Sequence, residues 1–320
     1  MSEQAAYHIP VMVEQVLESL DAGSGGRFLD GTLGGGGHAR ALLEAAPEDV
    51  QLFGLDRDCD AVKRAGKNLA GFADRVTLKQ GNFRDAGDLY KGLSLDGVLL
   101  DLGVSSHQLD TPERGFSCDR DGPLDMRMDA DDGITAARLL NGSDEDELAE
   151  IFRRWGESRY SRRIARRILE SRRDKPLEST AELARIVRTA VPRQVERKNV
   201  VQVFQALRIA VNDELGALRS GLEQLFDMLA VNGRLVVISY HSLEDRIVKR
   251  FFAELTAGCV CPPELPFCAC GKLPRAVKVT RRPVRPASTE VERNSRSRSA
   301  LLRAVRRLDN GESAGERFEN

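Results

Sequence analysis

The run Asp30-Gly-Thr-Leu-Gly-Gly-Gly-Gly-His38 gathers a carboxylate, an imidazole and five glycines into nine residues. Glycines let backbone amides approach a ligand closely, and a helix starting after such a loop favours a negatively charged group at its N-terminus. A second carboxylate, Asp56, lies twenty residues after Gly36. At that spacing an acid closing the second strand can accept both hydroxyls of an adenosine ribose. Alone, the glycine run is also what a tight strand-to-helix turn needs; together with Asp56 it specifies a nucleoside cofactor. A third acid, Asp101, sits in Leu99-Leu-Asp-Leu-Gly-Val-Ser-Ser-His-Gln108. A carboxylate there can act beside the cofactor or simply cap a loop. Phe83, after Gly81-Asn82, can face an adenine or fill the core. His38 reads as a hydrogen-bonding residue at a helix start rather than a metal ligand, because no second ligand stands at useful spacing.

These residues need strands to end on. Four short apolar segments, Arg27–Asp30, Gln51–Asp56, Val76–Gln80 and Leu95–Leu102, read as buried strands, with Ala39–Ala46 and Ala61–Leu69 as crossover helices. The βαβαβ pattern predicts a parallel sheet, and right-handed crossovers make it an α/β doubly wound one. Such a sheet alone does not choose between a dinucleotide and another adenosine cofactor. After Leu102 the strand signal stops. Leu148–Trp155, Ser161–Arg172, Thr180–Val191 and Val203–Asn212 read as helices of an insertion, with Tyr160, Ile164 and Ile168 forming one apolar stripe. The sheet resumes with the helix Asp213–Ala230, a turn at Asn232-Gly233 and the strand Arg234–Tyr240. Glu244–Leu255 follows as a helix, then Val277–Thr280 and Leu301–Leu308 as final strands. The expected division is a discontinuous sheet domain (1–106 and 206–308), an inserted helical domain (107–205) and a frayed polar tail (309–320).

A 320-residue chain exceeds what one core usually holds, which fits that division. No apolar run approaches bilayer length, and the first residues lack the basic start and apolar stretch of a secretory signal. The expected location is the cytoplasm, away from membranes, with the six cysteines reduced. Net charge is −1, but it is unevenly spread. Nine arginines stand against two glutamates between Arg153 and Arg173, and twelve basic residues against two glutamates between Lys272 and Arg307. Concentrated basic segments on an otherwise acidic chain suggest a polyanion footprint, although arginine-rich helices are also often only solvated. The helix carrying Arg162, Arg163, Arg166 and Arg167 is one candidate.

The segments Tyr7-His-Ile-Pro-Val-Met, Asp30 to His38, Asp56-Arg-Asp and Leu99 to Ser106 carry a resemblance. Arg114-Gly-Phe-Ser, Asp121-Gly-Pro-Leu-Asp-Met-Arg-Met-Asp129, Phe204 to Glu214 and Ser239-Tyr-His-Ser-Leu-Glu-Asp-Arg246 extend it. The chain resembles the ribosomal RNA small subunit methyltransferase H family from about residue 7 to 250. The resemblance implies a Rossmann-like class I methyltransferase sheet and S-adenosylmethionine as cofactor. It also implies methylation of N4 of a cytidine in the decoding region of 16S rRNA, with naked RNA and the small ribosomal subunit both open as substrate. The cofactor contacts it implies are Gly36, Gly37, His38, Asp56, Phe83, Asp101 and Gln108. Asp101 is also the candidate catalytic residue, since a carboxylate accepting the amine hydrogens localises the weakly nucleophilic nitrogen lone pair. Phe116, Trp155 and Tyr240 are the aromatics that could stack on the target base, and His241 either faces that base or is an ordinary satisfied histidine.

Other acceptors, DNA or protein, and a non-catalytic RNA-binding module are the competing readings; a monomer and a homodimer both remain open. One departure stands out: where many members read His-Pro-Ala-Thr-Arg, this chain has Lys198-Asn-Val-Val-Gln202. Cys259, Cys261, Cys268 and Cys270 supply enough thiolates for a closed zinc site, though C-x-C pairs are less usual than C-x-x-C.

Overall fold

The computed structural model describes residues 10–258, 261–262 and 269–309. They divide into two compact units: residues 10–103 with 217–309, and Val104–Gly216.

The first unit is built on a seven-stranded sheet: β1 (Arg27–Asp30), β2 (Gln51–Asp56), β3 (Val76–Gln80), β4 (Leu95–Asp101), β5 (Leu229–Ser239), β6 (Ala276–Lys278) and β7 (Leu301–Arg307). The order is β3-β2-β1-β4-β5-β7-β6. β1 to β5 pair in parallel, while β7 runs antiparallel to both β5 and β6. The central strands are near-continuous apolar runs because both faces of the sheet are covered. Alternate residues enter opposite cores: Leu99, Val236 and Ile238 pack on one face, Val98, Leu100, Leu235 and Val237 on the other.

The parallel strands all end at one edge. Asp30, Asp56 and Asp101 are the last residues of β1, β2 and β4, and Asp101 lies level with Ile238 of β5. The expected turn at Asn232-Gly233 falls inside β5, as an irregularity of its pairing, rather than ahead of the strand. Asn232 is accommodated at φ 69°, and the ladder to β4 slips register between Leu95 and Gly97. β5 advances five residues from Leu229 to Arg234 while β4 advances two from Leu95 to Gly97, so three extra residues bulge out of the ladder.

The second unit is helical around a core that includes Leu140, Phe152, Ile164, Ile168, Leu183, Val187, Val203 and Leu207. Its last long helix, Glu196–Asn212, is continuous, and its apolar face belongs to that core. The boundary therefore falls at residue 216 rather than at 205. Asn212, 2% exposed, accepts from Met128 N at 2.7 Å and donates to Met126 O at 2.8 Å, while Arg208 clamps Glu214 at 2.8 and 2.9 Å. The Phe204 to Glu214 and Asp121 to Asp129 motifs are thus tied to each other. The departure at Lys198–Gln202 is structural as well: Ser158 Oγ donates to the buried Asn199 at 2.7 Å, and Asn199 bonds back to Val195 O.

Candidate active site

The loop from Gly31 to Gly36 links β1 to the helix Gly37–Ala45. Gly36 sits at φ 80°, and a Cβ there would stand 3.3 Å from Ala65 Cβ, so glycine meets both a left-handed backbone and a neighbouring helix. Asp56 holds the loop from beneath: its Oδ2 accepts from Gly34 N at 2.7 Å and its Oδ1 from Asp58 N at 2.9 Å. Burial pushes the Asp56 carboxyl up to about 6, against the lowering pull of those two backbone bonds.

Asp30, which the sequence presents only as the start of the glycine run, is 3% exposed and is bonded by Thr32 N at 3.1 Å. Burial pushes it up to about 6 also, with His38 opposing. Thr32 bridges to the next strand, its Oγ1 accepting from Asp101 N at 2.6 Å.

Asp101 stands between two side chains. Tyr240 donates its hydroxyl to Oδ1 at 2.8 Å, and His38 Nδ1 lies 3.7 Å from Oδ2. Burial, then the Asp101 charge, holds the Tyr240 phenol well above its ordinary value, so it remains a donor. Burial lowers the His38 imidazole, with Asp30 pulling it back up. The carbonyl of Val11 accepts from Nε2 at 2.8 Å, so the neutral ring turns the Nδ1 lone pair toward Asp101. His38 is a hydrogen-bonding residue of the first helical turn, as its position suggested.

The sequence offered Tyr240 as a ring to stack on a base; its hydroxyl on Asp101, 139 residues away in the chain, is what sequence reasoning missed. His241 is the N-cap of the helix Ser242–Thr256, its Nδ1 accepting from Glu244 N at 3.4 Å. Its Nε2 is 3.0 Å from Glu244 Oε1 but off the axis of a hydrogen bond. Phe83 is partly buried against the core: a Cβ on Gly221 would be 2.5 Å from its ring, so that glycine is what admits it. Gln108 belongs to the helical unit, where its Oε1 accepts from Ser105 N at 3.0 Å in a capping box. Gly36, Gly37, His38, Asp56, Phe83 and Asp101 share the sheet unit. Cys261 Sγ accepts from Ala269 N at 3.3 Å and Cys270 is exposed; Cys259 and Cys268 lie outside the described residues, as does the tail from 310 to 320. Among the described residues, no helix is long and apolar enough to cross a membrane.

S-adenosylmethionine carries a ribose diol, an ammonium, a carboxylate and a sulfonium. The donor set fits it: a strand-end carboxylate for the diol, the paired acceptors His38 Nδ1 and Asp101 Oδ2 for a cation, and a glycine loop with a helix N-terminus for the carboxylate. A sheet of this order with β7 antiparallel, that loop after β1 and that acid closing β2 is the arrangement of a class I S-adenosylmethionine-dependent methyltransferase.

Comparison with known proteins narrows the class. The model of the MraW methylase family matches residues 5–308. Ribosomal RNA small subunit methyltransferase H of Symbiobacterium thermophilum is 50% identical over 316 residues, covering 97% of this chain and 99% of its own. The proteins of the same name from Syntrophotalea carbinolica and Geobacter sulfurreducens are 52% and 51% identical, over 96% and 94% of this chain and 100% and 99% of their own. The chain belongs to the MraW methylase family.

Proposed function

We propose that the protein methylates N4 of a cytidine in the decoding region of 16S rRNA, acting in the cytoplasm. The names of its relatives support an rRNA acceptor. The observation that carries the choice of an amine is the Asp101 carboxylate, fixed at the sheet edge by Tyr240 and facing His38.

When bound, S-adenosylmethionine supplies an electrophilic methyl group on a sulfonium. Asp56 would accept the ribose hydroxyls, and Gly36 and Gly37 would line the turn beside the methionyl carboxylate, with the partly buried Phe83 on the same sheet unit. The cytosine amine is a poor nucleophile because its lone pair is delocalised into the ring. Asp101 accepts an amine hydrogen, which favours a pyramidal nitrogen, and it stabilises the positive charge that develops on that nitrogen. Tyr240 holds the carboxylate in one rotamer, so little reorganisation is needed during transfer. Incubation with labelled S-adenosylmethionine and, separately, small-subunit rRNA, assembled small subunits, DNA and protein tests the acceptor. Label should enter only the first two; label in DNA or protein alone contradicts the proposal.

A further inference from the structure

The basic segment at the end of the chain is two populations. Arg275 pairs with Asp227 at 2.5 Å, and Arg303 clamps Asp245 at 2.7 and 3.0 Å. Arg306 bonds Asn232, and Arg307 bonds the carbonyls of Asp227 and Leu229 at 2.9 and 2.6 Å. These four brace the sheet. Arg281, Arg282, Arg285, Arg293 and Arg298 are all exposed, and none has a carboxylate within ion-pair distance among the described residues.

The backbone that carries those five is fixed at the carboxyl edge. Val279 N and Thr280 N both donate to Ala304 O, at 3.0 and 3.2 Å, and Val284 exchanges bonds with Leu302 at 2.9 and 3.0 Å. Arg281 and Arg282 project from the turn between those two anchors, and Arg285 follows the second. The helix Ser288–Arg293 is held by Glu290, which accepts from Met12 N at 2.7 Å, and the buried Ser297 anchors the turn before β7. Val284, Leu302, Ile238 and Asp101 form one row across the sheet. With neighbouring strands about 4.8 Å apart, Val284 lies about 14 Å from the Asp101 backbone. A single-stranded RNA leaving the acceptor position crosses that span within a few nucleotides.

We infer that the strap from Arg281 to Arg298 is an RNA-phosphate docking surface that holds the strand flanking the acceptor nucleotide. Five exposed guanidiniums on a pinned backbone, with no carboxylate partner among the described residues, offer bidentate phosphate contacts. Three of the four arginines on the helix Ser161–Ser171 differ: Arg162, Arg166 and Arg167 already have Asp146, Glu145 and Glu170 at 3.3, 3.3 and 2.9 Å, while Arg163 is exposed with no carboxylate at that distance among the described residues. The inference rests on the reading of the protein as an RNA methyltransferase. Its test is the salt dependence of binding to a small-subunit rRNA transcript by the full-length chain. In the triple variant Arg281→Ala, Arg282→Ala, Arg285→Ala, the slope of log K against log salt should shrink by about 2, from about 0.7 per single-strand phosphate contact. Affinity for S-adenosylmethionine should be unchanged, and the corresponding triple Lys variant should regain the slope. The variant Arg162→Ala, Arg166→Ala, Arg167→Ala should lose less. An unchanged slope in the strap variant overturns the inference and leaves the RNA reading intact; a wild-type protein that binds neither the transcript nor assembled small subunits overturns both.

Discussion

Lowering the pH should loosen the cofactor through Asp56. Burial pushes that carboxyl up to about 6, and a ribose diol donates hydrogen bonds best to the ionised form. A group with that value is about nine-tenths ionised at about pH 7 and about one-tenth at about pH 5. The apparent Kd for S-adenosylmethionine should therefore rise about tenfold between them and level off above about pH 7. The sign follows from competition: the cofactor selects the carboxylate, so proton uptake as the pH falls opposes binding. Asp56→Asn removes the titrating group while keeping volume and one acceptor. It should weaken binding at about pH 7 by about 1.5–3 kcal/mol, the range for a hydrogen bond to a charged group. Asp30, also pushed up to about 6, remains in that variant, so the difference between the two pH profiles isolates Asp56. Isothermal titration across the pH series measures both. A wild-type affinity constant across that range, or an Asn variant with the full wild-type slope, refutes the ribose assignment.

Three further outcomes follow from the same geometry. The folded-state value of Asp30 lies above the ordinary 3.8, so its proton favours the fold below about pH 4, and that contribution disappears as the pH rises through about 6. Urea unfolding of wild type and Asp30→Asn from about pH 4 to 7 should diverge by on the order of 3 kcal/mol; parallel curves contradict the burial argument. Tyr240→Phe removes the 2.8 Å bond to Asp101 and should slow single-turnover transfer at saturating cofactor and RNA by about tenfold to about a hundredfold, with native melting behaviour. A wild-type rate would make that hydroxyl a packing contact only. Asp101→Asn should cost about 10²-fold or more under the same saturating conditions. Weakened cofactor affinity with a wild-type saturated rate would confine Asp101 to binding.

Much of the sheet was legible because parallel central strands must be apolar on both faces. Gln51–Asp56 and Val76–Gln80 are bounded as their residues suggest, and acids mark the carboxyl edge. Asn232-Gly233 marks the irregularity but not the start of the strand, because Leu229 already pairs with Leu95 of β4 three residues earlier. The long helix Glu196–Asn212 begins earlier than its apolar pattern because Asn199 is buried by bonding Ser158, a contact that periodicity does not register. The placement of the glycine loop after β1 and of Asp56 at the end of β2 was legible because it is local. The Tyr240 hydroxyl on Asp101 is set by the pairing of β4 with β5, and the division of the final arginines into braces and exposed groups depends on partners far off in sequence. Spacing alone shows neither.

The central claim is methyl transfer to a cytosine amine in small-subunit rRNA, and its most direct test is the identity of the product nucleoside. Small subunits or their rRNA lacking the modification would be incubated with the protein and S-adenosylmethionine, digested to nucleosides and analysed by mass spectrometry against synthetic standards. The account predicts N4-methylcytidine (or its 2′-O-methylated form, where the ribose is already modified), dependent on Asp101. A methyl group on a ring carbon, on a ribose alone or on another base would contradict it.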